Sequence, residues 1–382
     1  MSTLTDFLPS PCLTAPQVEA LPATVEAVTA LWSSTILHAN IIDAKILSVR
    51  HGSSTTLLVE VTFGPASKSE GLTGRIFIKG GFNPQLIALM PSLLDTYRRE
   101  AEFYGYLYPK LSSAGMILPQ PYYTAVDPVS GQGIVALEDL TSKKCKFGTP
   151  LETWPIDRVL QGVDQLAILH AKTWGCQDQP AYSWLEANSN SGLRGIIIEL
   201  TKEGPFSAVV PKNLEVLGAD VAAQYPVLLD RQRIIMAFKK LWAADDQGHG
   251  QKFRCFIHGD PHVDNTFMTA AGAPGFLDWQ AGSVGNCFHD VAYFVASVLS
   301  VEDRRAHEVR ILRHYLASLV QHGGPVLDWE DAWAEYRKHL FHGYVLCLTQ
   351  PGMQSQENIW ALVGRFIPAI LDHSVVESLE IE

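Results

Sequence analysis

Cysteine is scarce in this chain and never paired. Its six residues (Cys12, Cys145, Cys176, Cys255, Cys287 and Cys347) are scattered without a CxxC spacing, which excludes a small secreted disulfide framework. They read as reduced thiols of an intracellular protein. No uninterrupted apolar run is long enough to span a bilayer. Residues 1–16 carry no basic stretch leading into an apolar one, so no signal peptide is expected. The chain therefore reads as cytoplasmic, with no membrane partner. Basic excess is also missing: 29 Lys and Arg against 40 Asp and Glu leave a formal net charge of −11. That balance argues against an extended nucleic-acid surface, although a local anion site remains compatible with it. Internal repeats and low-complexity tracts are absent. What remains is an ordinary globular composition, 47% hydrophobic and 18% charged over 382 residues, ample for a large core.

Met1 to Pro22 is rich in Pro and Thr and reads as a loose lead-in. Val25, Val28, Leu31, Trp32 and Ile36 then fall on one face of a helix over 25–36. Two strand-like runs follow, 44–49 and 56–63, joined by the polar segment Arg50 to Thr55. This is not a GxGxxG loop. Its small residues Gly52, Ser53 and Ser54 would nonetheless let backbone N–H groups approach a phosphate. A third strand, 75–79, ends in Lys79. Between Leu93 and Leu111 the apolar residues recur at i, i+3 and i+4, and Glu100 falls inside that stripe, whereas Glu102 points away with Arg98 and Arg99. A carboxylate on an apolar face is costly unless paired, and Lys79 is the expected mate.

A strand at 133–137 runs into Glu138, Asp139 and Leu140, which reads as a hinge. Beyond Ile156 the pattern is helical. Leu160, Val163, Leu166, Ala167 and His170 share one face, with His170 expected to bond a carbonyl at the helix end. Tyr182 to Ala244 is helical with Pro and Gly breaks and could shape an acceptor pocket; the acidic segment 245–250 ends it. Further helices are expected over 289–299, 304–319, 329–348 and 358–371. Trp329, Trp333, Tyr336 and Trp360 are expected in the core.

The stretch Phe256-Ile257-His258-Gly259-Asp260-Pro261-His262-Val263-Asp264-Asn265, followed by Gly275-Phe276-Leu277-Asp278-Trp279, carries the chemistry. A short strand delivers Asp260, Asn265 follows five places on, and a second strand delivers Asp278. Phosphoryl transfer needs such a set. Asp260 would serve as catalytic base toward the acceptor hydroxyl, Asn265 and Asp278 would hold Mg²⁺, and Lys79, steadied by Glu100, would neutralise the phosphates of ATP. His258 would brace the loop, and Asp290 would hydrogen-bond back to it. Two other readings stand beside this one. His258, Asp260 and His262 offer donors for a metal-dependent hydrolase. A kinase fold used only for binding, or for another reaction, is the second, because fold does not guarantee function. Asp278 is followed almost at once by the helix near His289, with no peptide-docking segment and no Ala-Pro-Glu anchor. The acceptor is therefore expected to be a small molecule bearing a hydroxyl.

With these residues in hand, the chain resembles the aminoglycoside phosphotransferase/choline kinase superfamily, closest to its ecdysteroid-kinase-like branch. The matching pieces are Ile78-Lys79, the run from Arg99 to Tyr104, Leu137 to Leu140, Leu166 to Ala171, His258-Gly259-Asp260 through Asn265, Leu277-Asp278-Trp279 and Asp290-Val291-Ala292. The resemblance implies an α+β, bilobal protein-kinase-like fold, with a small antiparallel-sheet N-lobe over 1–138 and a mainly helical C-lobe over 139–382. It implies ATP and Mg²⁺ as cofactors, and Asp260 as the catalytic residue, with Asn265 and Asp278 on the metal. Lys79 and Glu100 match the nucleotide-binding pair, and Glu138, Asp139 and Leu140 match the adenine hinge. The acceptor region matches no signature, so the resemblance names no substrate.

Overall fold

The computed structural model of the chain describes residues 21–52, 54–65, 74–89, 91, 93–127, 129–188, 193–350 and 353–381. The lead-in through residue 20, with Cys12, and Ser53 lie outside them. Two compact units share the chain. The first holds the chain up to Lys146 together with Thr269–Ala271 and Leu277–Gly282; the second holds Phe147–Met268, Gly272–Phe276 and Ser283–Glu382.

Five antiparallel strands build the first unit: β1 (Ile41–His51), β2 (Thr55–Phe63), β3 (Arg75–Gly80), β4 (Pro121–Val126) and β5 (Gly133–Glu138), in the order β1-β2-β3-β5-β4. Alternation fixes which face is buried. Leu57, Val59 and Val61 of β2 point into the core with Ile76 and Ile78 of β3. β5 is buried at every position, as its unbroken apolar run requires. The antiparallel register sets Lys79 between Thr56 of β2 and Val135 of β5.

The helix expected over 25–36 is shorter and starts later. Val25–Ala27 is a single 3-10 turn, Val28 is extended, and α1 spans Ala30–Leu37. The break is local: Thr29 is the N-cap, and its hydroxyl accepts from the Trp32 amide at 3.3 Å. Val28, Trp32 and Ile36 still enter the sheet core. After α2 (Pro84–Leu89), α3 (Leu93–Glu102) continues through a π-turn, Phe103–Leu107, into α4 (Tyr108–Ser113). α3 lies very close to the sheet. A Cβ on Gly133 would sit 2.2 Å from the Tyr97 carbonyl oxygen, so only glycine permits this approach. Glu102 does point away from Lys79, but not into solvent. Arg99 and Glu102 are buried, and Glu102 is flanked by Arg98 at 3.4 Å and Arg99 at 3.8 Å. Pairing is what makes that burial tolerable.

The second unit is mainly helical: α5 (Ile156–Thr173), α6 (Leu193–Leu200), α7 (Glu203–Leu214), α8 (Ala219–Gln224), α9 (Arg231–Gln247), α10 (Cys287–Val298), α11 (Val301–Gln321), α12 (Trp329–His339), α13 (Val345–Leu348), α14 (Gln356–Asp372) and α15 (Val375–Ile381). α10 is buried along its whole length and packs against α5, α11, α12 and α14, so it is the axis of this unit. Asn286 caps it, accepting from the Phe288 amide at 3.0 Å. Two short antiparallel pairs frame the candidate loop: Arg254–Ile257 with Ser283–Asn286, and Thr266–Met268 with Pro274–Phe276.

Three expectations change here. α9 ends inside the acidic segment, at Gln247 with Gly248 as its cap, but it runs through Asp245, whose side chain is buried. Trp329, Trp333 and Trp360 are half-buried, and only Tyr336 is core. Trp329, Trp333 and Tyr336 instead form a stacked ladder with centroids 5.8 and 5.6 Å apart, which Arg313 caps at 4.4 Å from the Trp329 ring. His170 bonds a carboxylate rather than a carbonyl, as described below. Among the described residues, no helix is long and apolar enough to cross a membrane. The architecture is α+β, with an antiparallel-sheet unit and a mainly helical one.

Candidate active site

In the first unit three predicted residues converge. Lys79 Nζ lies 2.7 Å from Glu100 Oε2 and 2.6 Å from Asp278 Oδ1. β3 delivers the lysine, and the buried stripe of α3 delivers Glu100. Asp278 comes from the segment Leu277–Gly282, which returns to this unit late in the chain. Lys79 and Glu100 are buried, while the Asp278 side chain is 27% exposed. Burial alone would strip the proton from Lys79, but Asp278 and Glu100 outweigh it and hold the ammonium well above its ordinary range. Two carboxyls share one cation, and burial pushes that of Glu100 up although Lys79 pulls it down.

Asp278 adopts a left-handed backbone conformation, φ 65° and ψ 67°. Asp and Asn tolerate that region better than most residues. Next to it Trp279 is buried and stacks on Phe103, with centroids 3.8 Å apart and planes 7° apart. The Trp279 main chain also hydrogen-bonds Glu100. The π-turn after α3 thus supplies the aromatic face that pins the Asp278 segment, a role that helix periodicity does not signal.

The remaining nucleotide-side candidates are less open than expected. Gly52 donates its N–H to the Ser54 carbonyl at 2.9 Å, so that amide is spent within the turn. Ser54 is buried, and Ser53 lies outside the described residues. Glu138 pairs with Lys143 and accepts from the Gln120 amide at 3.1 Å. Asp139 Oδ1 accepts from the Thr141 amide at 2.9 Å and its hydroxyl at 2.6 Å. Both side chains are thus engaged in local contacts, and Leu140 beside them is buried.

In the second unit the loop from His258 to Asn265 is over-determined by hydrogen bonds. Asp290 of α10 is wholly buried and accepts from the amides of His258 at 2.6 Å and Gly259 at 3.0 Å. Its Oδ2 also lies 3.1 Å from His170 Nε2, and His170 Nδ1 lies 2.9 Å from the Tyr315 hydroxyl. Burial would raise Asp290, but the His170 bond and the surrounding imidazoles hold it below the usual carboxylate range. His289, also on α10, bonds the Gly259 carbonyl from Nε2 at 2.8 Å. Gly259 itself needs φ +83°, a glycine conformation.

Asp260 emerges from this clamp partly exposed, its side chain 34% open. Asn265 Nδ2 donates to the Asp260 carbonyl at 2.8 Å and to its Oδ2 at 3.2 Å. The five-residue spacing therefore folds Asn265 back onto Asp260. Tyr293 also hydrogen-bonds Asp260, and its phenol is held protonated by burial first and by that carboxylate second. Tyr293, Tyr315 and the His170–Asp290 bond had no sequence signal, because their partners come from distant helices.

His258, Asp260 and His262 do not converge as a metal triad. His258 Nδ1 accepts from the Asp260 amide and His262 Nδ1 from the Asp264 amide, each at 3.3 Å. Each imidazole thus braces the turn through its Nδ1. Among the described residues, the groupings with metal-ligand spacing are elsewhere.

A model of the ecdysteroid kinase-like family matches residues 59–324 of this chain. No curated protein matches it. Solved structures similar to it include choline kinase LicA from Streptococcus pneumoniae, 14% identical, with 90% of this chain and 96% of that chain covered at a TM-score of 0.43. Amicoumacin kinase hAmiN, solved with AMP-PNP, Ca²⁺ and Ami, is 15% identical, with 93% and 95% covered at a TM-score of 0.46. A microcompartment-associated aminopropanol kinase is 14% identical, with 88% and 94% covered at a TM-score of 0.44.

Proposed function

The chain belongs to the ecdysteroid kinase-like family, and from that premise we propose that it is a small-molecule kinase moving the γ-phosphate of ATP to an acceptor hydroxyl. The observation that carries this reading is the buried Lys79 ammonium, held between Glu100 and Asp278 at 2.7 and 2.6 Å. A fixed, desolvated cation is what phosphate oxygens require, and it needs no reorganisation when the nucleotide arrives.

Each residue then has one task. Lys79 binds the phosphates, and Glu100 holds its direction. Asp260, aimed by the Asn265 and Tyr293 hydrogen bonds, orients the acceptor hydroxyl and takes its proton as the oxygen attacks. Asp290 and His289 keep the Asp260 backbone from shifting, since small misplacements cost large factors in rate. The donor set fits Mg²⁺: the Asp278 carboxylate and the Asn265 side-chain carbonyl are hard oxygen ligands, and Asn265 spends its Nδ2, not its Oδ1, on Asp260. Mg²⁺, when bound, neutralises charge on the phosphate oxygens.

The acceptor is a small molecule. Between Asp278 and α10 the chain forms only the turn Trp279–Ala281 and the strand Ser283–Asn286, too short to dock a peptide. A cytoplasmic setting goes with this reading. Differential scanning fluorimetry with Mg-ATP tests it first: the expected outcome is a rise in Tm that grows with ligand concentration. Incubation with a metabolite extract and γ-labelled ATP should then give a new phosphate ester, absent for Asp260→Asn, whose Mg-ATP shift persists. No shift at millimolar Mg-ATP, or full turnover by Asp260→Asn, would overturn the proposal.

A further inference from the structure

Behind the Gly259 carbonyl, five ligating side chains are buried together. His289 comes from α10, His339 is the last residue of α12, His342 lies in the turn Leu340–Tyr344, Asp245 comes from α9 and Glu335 from α12. All are less than a tenth exposed. Apart from the His289 bond to Gly259, none has a part in the reaction above.

One ring nitrogen from each of the three histidines lies within 4.8 Å of the other two, and the same holds for the ligand atoms of Asp245, Glu335 and His339. The ring centroids are 4.0 Å apart for His289 and His342, 5.4 Å for His339 and His342, and 6.3 Å for His289 and His339. A core packed only for shape would pair these nitrogens, and it does not. His342 Nδ1 and His339 Nδ1 are buried without a hydrogen bond. Leaving such groups unsatisfied in a core is destabilising. His339 Nε2 faces the two carboxylates, 3.2 Å from Asp245 Oδ1 and 3.5 Å from Glu335 Oε2.

Two supporting features are those of a metal's outer shell. His289 bonds the Gly259 carbonyl through Nε2 at 2.8 Å, which fixes its ring and leaves the Nδ1 lone pair available. Asn286 Nδ2 orients both carboxylates, at 3.2 Å from Asp245 Oδ1 and 2.8 Å from Glu335 Oε2. We propose that His289, His339 and His342 bind one divalent transition-metal ion of imidazole preference, zinc foremost, with Asp245 and Glu335 balancing its charge. The ion would tie α10, α12 and the following turn together behind the loop that carries Asp260.

The proposal has a definite geometric cost. Imidazoles on one tetrahedral zinc, with Zn–N near 2.0–2.1 Å, have centroids about 5 Å apart. His289 and His342, at 4.0 Å, must therefore part by about 1 Å, and His289 and His339, at 6.3 Å, must approach by about as much.

The test uses the full chain, purified without a polyhistidine tag from zinc-supplemented medium and dialysed, with zinc measured by inductively coupled plasma mass spectrometry. The expected result is about one zinc per chain, largely lost in His342→Gln and retained in His307→Gln, a histidine of α11 outside the cluster. If His342→Gln does not fold, Co²⁺ titration of the wild-type chain decides the matter. Saturable visible bands of tetrahedral cobalt at one equivalent support the site, and their absence refutes it. Zinc far below one equivalent after incubation with excess ion, or equal zinc in wild type and His342→Gln, overturns the proposal.

Discussion

One carboxylate oxygen of Asp290 lies 2.6 Å from the amide nitrogen of His258, and the other lies 3.0 Å from that of Gly259. A side chain at the start of α10 thus satisfies two consecutive backbone donors of the loop that presents Asp260.

Removing that acceptor should be costly. Asp290→Ala leaves two buried amides and His170 without their partner, each worth roughly 1–3 kcal/mol. A stability loss of about 3 kcal/mol or more is expected by chemical denaturation, with turnover down about a hundredfold from loop displacement. The pH dependence has a definite sign. Burial pushes the Asp290 carboxyl up, but His170 first and the neighbouring imidazoles after it hold it below its unfolded value. Its contribution is therefore present above about pH 4 and is lost as pH falls through the lower folded value. In Asp290→Asn the decline in stability below about pH 4 should be shallower than in wild type, as read from denaturant midpoints at stepped pH.

Lys79 is the cation between Glu100 and Asp278, so Lys79→Met should harm both fold and ligand binding. Breaking a buried pair costs about 3–5 kcal/mol, because an unmatched charge remains. Adding Glu100→Gln should recover part of that loss, with a coupling energy of about 0.5–3 kcal/mol in a double-mutant cycle. Neither variant should show the Mg-ATP rise in Tm. A strictly additive cycle would show that the pair is not energetically linked.

Gly133→Ala probes the same pair at a distance. The new methyl would start 2.2 Å from the Tyr97 carbonyl, so α3 must move off the sheet. Overpacking of this kind costs about 1–3 kcal/mol. Because α3 carries Glu100, Mg-ATP affinity should fall although no ligand-facing group has changed. Isothermal titration of the folded variant checks this, and unchanged affinity would show that α3 can shift without disturbing Lys79.

Asp278→Asn separates charge from geometry. Asn accepts the φ of 65° found here and can still bond Lys79, so the fold should persist. The expected result is a near-native melting curve without ligand and a strongly reduced Mg-ATP shift. A native-like Mg-ATP shift would remove Asp278 from the metal role.

Much of the candidate site can be read from local patterns. The period of the stripe from Leu93 to Leu111 puts Glu100 on a buried face, and a strand ending in Lys79 supplies the only kind of mate that face allows. The five-residue spacing from Asp260 to Asn265 is short enough for the chain itself to fold one back onto the other. Local reading failed where a side chain's surroundings come from elsewhere. His170 looked like a helix-end histidine bonded to a carbonyl, yet its partners are Asp290 and Tyr315. Asp245 read only as the start of an acidic segment that ends a helical region, yet it is buried beside Glu335 and His339.

By itself, then, the sequence determined the strand alternation, the helical stripes, the charge placed at the end of β3 and the order of the loop residues, because each depends on neighbours within a few positions. Only the tertiary structure decided that Asp278 would take a left-handed turn against the Phe103–Trp279 stack, that His170 and Tyr315 would back the Asp290 carboxylate, and that His289, His339 and His342 would meet in the core. Those outcomes rest on packing and hydrogen bonds between segments far apart in the chain, which no local period encodes.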